Sequence, residues 1–167
     1  MILFFRGKAA TGKSMAAMAI AEAHSFKVIH KDTVFDELLE EGFDWNTATQ
    51  MAYDRLALII QQNHDAEQNL IVDIGLAHTL YFYTFLSKLS LKPEQVRYFL
   101  FDCSDEAIWQ KRIETRIQSP SAPNQAFKTV EEATEHYKRY EISLIENEKW
   151  IDSSQTMEKM MEDITWM

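Results

Sequence analysis

Two glycines five residues apart, Gly7 and Gly12, stand between a short apolar run and a helix-forming stretch, and nothing else in the 167-residue chain constrains its fold as tightly. Ile2 to Phe5 is continuously apolar, the pattern of a strand buried on both faces of a parallel sheet. From Lys13 to Ala23 the sequence is rich in Ala and Met, with Met15, Met18, Ala19 and Ala23 at helical spacing. Between them Gly7-Lys8-Ala9-Ala10-Thr11-Gly12-Lys13-Ser14 matches G-x-x-x-x-G-K-[ST] in full. The chain has only four glycines, where average usage gives about a dozen, so spending two of them here is informative. Glycines let backbone amides curl around phosphate oxygens, and the helix that follows aims its N-terminal dipole at the same charge. In that arrangement Lys13 bridges the β- and γ-phosphates and the Ser14 hydroxyl ligates Mg²⁺.

The rest of the chain alternates apolar strands with helices. Val28-Ile29, Asn69–Ile74, Arg97–Asp102 and Lys149–Ser153 read as strands. Helices are expected over Thr33–Glu41, Asn46–Asn63, Leu76–Leu89, Glu106–Ile117, about 130 to 148, and onward to Met167. This alternation predicts a three-layer α/β domain with a parallel sheet. Ser104-Asp105 suits an N-cap, and Gln118–Lys128, with two of the three prolines, reads as an exposed loop. The length suits one domain, residues 1–167.

Composition removes several functions. A net charge of −9 disfavours an open grip on nucleic acid, which needs clustered Lys and Arg. No apolar run approaches the roughly 18 residues that span a bilayer, and the first ten residues lack a basic n-region and a cleavage pattern. The single cysteine, Cys103, fits a reducing cytoplasm. The five histidines lack zinc-ligand spacing.

On the loop motif and the order of the elements around it, the sequence resembles the small P-loop kinases: shikimate and gluconate kinases, chloramphenicol phosphotransferase, the kinase domain of polynucleotide kinase, and zeta-type toxins. The resemblance implies a P-loop NTPase fold with a five-stranded parallel sheet in the order 2-3-1-4-5. It implies ATP and Mg²⁺ as cofactors, with Gly7, Lys8, Ala9, Ala10, Thr11, Gly12, Lys13 and Ser14 around the phosphates. Many such kinases carry a glycine where this chain has Ala10. The motif N-K-x-D of GTPases does not occur, and a transporter or ring-forming ATPase needs more chain and further signatures.

Further site residues follow from that likeness. Asp73, ending the third strand beside the first, is placed to hold Mg²⁺ with Ser14; a solvated strand end or helix cap is the alternative. Asp32 is placed to orient or deprotonate the acceptor hydroxyl, although Asp32-Thr33 also suits a helix N-cap. Arg112 and Arg116, four apart on one helix face, stand at the base of a lid over about 112–128; pairing with Asp105, Glu106 or Glu114 is the other reading. Lys111 and Lys128 are weaker candidates for the same duty. The acceptor-binding segment covers about 33–63, with Trp45 and Arg55 as contacts, and His78 lines the pocket from the helix after Asp73. Asp102 reads as structural.

These readings converge on a kinase that moves the γ-phosphoryl group of ATP to a hydroxyl or phosphate of a small metabolite or nucleotide. An ATP-binding regulatory or toxin-like partner protein with little turnover is the rival from another class. A polynucleotide-end kinase is the third, against which the charge counts.

Overall fold

Each residue of β1 (Ile2–Gly7) is buried, and the strand splits the core in two by its period of two. Ile2 and Phe4 face one side with Leu56, Ile60, Val72, Ile74, Phe82 and Phe85. Leu3 and Phe5 face the other with Ala16, Ala17, Ile20, Phe99, Phe101 and Met160. A strand apolar on both faces must be covered on both, and the chain supplies those layers. The computed structural model describes residues 1–120 and 126–165.

Chain order runs β1, α1 (Lys13–His24), β2 (Lys27–His30), α2 (Lys31–Glu40), α3 (Trp45–Asp65), β3 (Leu70–Asp73) and α4 (Thr79–Leu86). It continues with β4 (Val96–Asp102), α5 (Glu106–Gln118), α6 (Val130–Lys138), β5 (Glu148–Asp152) and α7 (Met157–Asp163). All strand pairings are parallel and the order is β2-β3-β1-β4-β5, the expected three-layer P-loop NTPase arrangement. Helices α3 and α4 pack on one face, α1 and α7 on the other. A smaller apolar cluster joins α5 to α6 through Trp109, Ile113 and Ala133, with Ala9 and Ala10 against it.

Helix starts follow local chemistry. Asp44 caps α3 by accepting from the amides of Asn46 and Thr47, and Asp105 caps α5 by accepting from that of Ile108. Helix α2 begins two residues before the expected Thr33, so Asp32 lies inside its first turn rather than capping it.

One expected element is cut short. The helix anticipated over about 130 to 148 ends at Lys138, because the backbone of 139–147 has other partners. The Glu141 carbonyl accepts from the Thr79 amide, the Ser143 carbonyl accepts from Arg6 and Thr79, and Ile145 is buried in the core. Arg6 anchors this strap. Fully buried, it forms a two-pronged pair with Glu148 at 2.7 and 2.6 Å and donates to the carbonyls of Ala77 and Ser143, each at 2.7 Å. Its guanidinium lies 4.8 Å from the centre of the Phe82 ring. An arginine so placed must satisfy its donors inside the protein, and Ala77, Ser143 and Glu148, all 71 or more residues away in sequence, supply the acceptors.

Candidate functional site

The turn between β1 and α1 is shaped by close approach. At Gly7 (φ 136°) a Cβ would stand 1.9 Å from the Phe101 carbonyl oxygen of β4, so no side chain fits there. Gly12 takes φ 79° immediately before α1, where no side chain caps the first amides. Ala10 also adopts a left-handed φ of 59°, the conformation a glycine would take without penalty.

The Lys13 ammonium fills the inside of this turn. Its Nζ donates to the carbonyls of Gly7 at 3.2 Å and Lys8 at 2.5 Å, and to Thr11 Oγ1 at 3.4 Å. Burial lowers its pKa, while the carboxylates of Asp73 and Asp32 pull it back up. Outside the turn, Lys8 pairs with Asp102 at 2.9 Å and lies 5.5 Å from the centre of the Trp109 ring. The Ala9 peptide is held from both sides: its amide donates to the Tyr137 hydroxyl at 2.8 Å, and Trp109 Nε1 donates to its carbonyl at 2.9 Å. Burial pushes the Tyr137 phenol up to about 12, so it stays protonated at neutral pH.

Below the turn, the parallel register sets Asp73 at the end of β3 beside Phe5 of β1 and His30 of β2. The Ser14 hydroxyl donates to Asp73 Oδ2 at 2.6 Å, and His30 Nδ1 lies 2.9 Å from that same oxygen. Burial alone would raise the Asp73 pKa. The His30 hydrogen bond, the Lys13 charge and the Ser14 hydroxyl outweigh it and hold the carboxyl below its usual value. An ionised carboxylate and a hydroxyl this close are hard oxygen donors, the set that suits Mg²⁺, which otherwise keeps its waters and takes phosphate oxygens.

Asp32 is near the same centre. It pairs with Lys31 at 2.6 Å and lies 4.0 Å from Arg116 Nη2, and its side chain is more than half exposed. The arginines of α5 part company: Arg116 reaches Asp32, whereas Arg112 donates to Ser153 Oγ beyond β5 at 3.1 Å. Part of the expected lid, 121–125, lies outside the described residues.

Trp45 and Arg55 are drawn into other contacts. Trp45 packs edge-on against Phe35 with ring centres 4.7 Å apart, and Arg55 pairs with Glu41 at 3.2 Å. His78 is buried among aromatic rings, 4.8 Å from His136 and 5.2 Å from Tyr140 between centres, and its Nε2 has no hydrogen-bond partner among the described residues. An open groove of about 580 Å³ between α5 and α6, lined by Gln110, Glu114, Lys128 and Thr134 among others, does not include Lys13, Ser14, Asp32 or Asp73.

Sequence reasoning singled out neither Tyr137 nor Trp109. Tyr137 sits in a polar helix with no motif around it, and only the packing of α6 on the loop brings its hydroxyl to Ala9. His30 did carry a signal: it ends a strand two residues before Asp32.

Residues 2–141 match the family described as an AAA domain. No curated protein matches the chain. Among solved structures, a gluconokinase from Sinorhizobium meliloti 1021 superposes with a TM-score of 0.68 at 14% identity, covering 96% of this chain and 87% of that one. A sugar kinase from Janibacter sp. HTCC2649 gives 0.67 at 14% identity, covering 96% and 90%. At these identities the likeness is one of fold.

Proposed function

The chain belongs to the AAA domain family, and from that premise we propose that it is an ATP- and Mg²⁺-dependent kinase acting on a hydroxyl or phosphate of a small metabolite or nucleotide. The observation that carries the reading is the 2.6 Å hydrogen bond from Ser14 to Asp73 directly beneath the Gly7–Ser14 turn. It joins a hydroxyl and an ionised carboxylate to a buried ammonium and an uncapped helix start, a combination suited to a phosphate chain with its metal. The whole chain is read as one domain, with acceptor contacts within 33–63 and a lid within 112–128.

In this reading the amides of the turn and Lys13 bind and orient the β- and γ-phosphates, with Ser14 and Asp73 as the residues that hold Mg²⁺. The metal, when bound, neutralises phosphate charge. Asp32 orients the acceptor hydroxyl and takes its proton as the new oxygen–phosphorus bond forms and the bond to the ADP oxygen breaks. Arg116, already facing Asp32, adds positive charge beside the transferred group, and Arg112 braces the same helix. Lys13 serves this role as a cation, and the carboxylates of Asp73 and Asp32 favour that charge against burial.

The likeness to a gluconokinase and a sugar kinase puts sugars and sugar acids first among acceptors to try. The test is ADP release from Mg²⁺-ATP across a panel of sugars, sugar acids, nucleosides and nucleotides. Acceptor-dependent ADP release supports the reading. Stabilisation by Mg²⁺-ATP without turnover on any acceptor would support a nucleotide-binding partner protein instead.

A further inference from the structure

His30 ends β2 directly opposite Asp73 in the parallel register, so backbone pairing fixes the spacing of the two side chains. A carboxylate oxygen only accepts, so His30 Nδ1 is the donor across 2.9 Å. That donor meets Oδ2, the oxygen that also accepts from the Ser14 hydroxyl. Among the described residues no hydrogen bond reaches Oδ1. Asp73 is therefore held through one oxygen by two donors of different kinds. Ser14 is itself a ligand in the reading above, whereas an imidazole is a poor partner for a hard cation that prefers oxygen.

We propose that His30 is a positioning residue for the metal-binding carboxylate: its hold on Oδ2 fixes the rotation of Asp73 and reserves the other oxygen for the coordination sphere of Mg²⁺. The inference rests on the assignment of Ser14 and Asp73 to Mg²⁺. Its physical content is that a ligand orients best when a neighbour outside the coordination sphere anchors it, and loss of such neighbours costs about 10- to 100-fold in metal affinity. Ser14 would itself stand in the coordination sphere, its lone pairs on the metal and its O–H on Oδ2, so His30 is the anchor of that oxygen that lies outside the sphere.

The experiment compares His30→Asn, whose amide nitrogen reaches about the Nδ1 position, with His30→Gln, whose amide reaches about the Nε2 position, and with His30→Leu. Calorimetry measures binding of a non-hydrolysable ATP analogue with and without Mg²⁺, so turnover plays no part in the readout. For His30→Gln and His30→Leu the apparent Mg²⁺ affinity should fall about tenfold or more, with metal-free analogue binding unchanged. His30→Asn should stay within about threefold of the wild type, since the donor is kept. Wild-type Mg²⁺ affinity in His30→Gln would overturn the proposal, as would equal losses in the Asn and Gln variants. Those two variants decide the matter even if the Leu variant does not fold. Should Mg²⁺ fail to tighten analogue binding in the wild type, the metal assignment itself falls; if it does tighten and the variants match the wild type, only the role of His30 falls.

Discussion

The two halves of the candidate site are built to different standards. Around the Gly7–Ser14 turn, Lys13 and Asp73 are buried, each has several partners, and the strand register fixes their placement. Around Asp32 the carboxylate is exposed, Lys31 and Arg116 are only partly buried, and the reach to Arg116 is 4.0 Å, the outer limit of an ion pair. The first region has its charges preorganised, so its geometry exists before any ligand arrives. The second gains little from its contacts in water and is free to rearrange as an acceptor and lid come together.

The largest effect expected from this contrast is that of Lys13→Ala. Loss of one preorganised cation at the phosphates should lower turnover by about 10²- to 10³-fold or more in a steady-state assay with Mg²⁺-ATP. A rate unchanged from wild type would break the comparison at its stronger end.

Gly7→Ala tests rigidity on the same side. Its Cβ would collide with backbone rather than with a side chain that can turn away. A loss of about 3 kcal/mol is expected, read as a fall of roughly 6–12 °C in Tm by thermal denaturation.

Arg116→Gln probes the looser side and should separate function from stability. Unfolding free energy should change by less than about 1 kcal/mol, because the Asp32 carboxylate is exposed and the pair stands at 4.0 Å. Turnover should nevertheless drop about tenfold or more, for the loss of charge next to the transferred group. A large stability loss would place Arg116 with the rigid half.

The contact between His78, just before α4, and His136 of α6 sharpens the contrast through pH. Burial lowers the pKa of His78, and Arg139 adds to it against the hydrogen bond His78 donates to the His136 backbone; burial, then His78 and Arg139, lower that of His136. Both prefer to be neutral in the folded protein, whereas the unfolded chain takes up protons near 6.5. The stability they confer is present above that pH and is lost as pH falls through the depressed folded values. Tm should therefore decline between about pH 7.5 and 5, and less steeply in His136→Gln. An equal decline in both proteins would remove the histidines as its cause.

Ala10→Gly should give the smallest change. It relieves a left-handed alanine at the cost of a more flexible unfolded chain, terms of about 1 kcal/mol each and opposite in sign. Tm within a few degrees of wild type is expected from calorimetry.

Much of the fold was legible because its signals are local. The apolar run Ile2–Phe5, the spacing of Gly7 and Gly12, and the strand ends at Asp73 and Asp102 each announce themselves within a few residues. The helix expected through 148 misread the segment because Glu141 to Glu148 has ordinary helical propensity, and what overrides it is remote: Arg6 and Thr79 claim the Ser143 carbonyl. Gly75 has no positive φ, and a Cβ there would meet nothing within 4 Å, so the exit from β3 does not depend on a glycine.

Of the candidate site, the sequence by itself determined the turn, because amide curvature, a following helix and a lysine must be consecutive to act together. Tertiary structure alone decided what surrounds that turn. The register of β2 with β3 delivers His30 to Asp73, the packing of α6 delivers Tyr137 to Ala9, and the same helix α5 sends Arg112 toward Ser153 and Arg116 toward Asp32. These contacts join residues tens of positions apart, and a hydrogen bond across such a separation leaves no periodic or spacing signal in the chain. It exists only once both sides of the sheet are covered and the strands are in register.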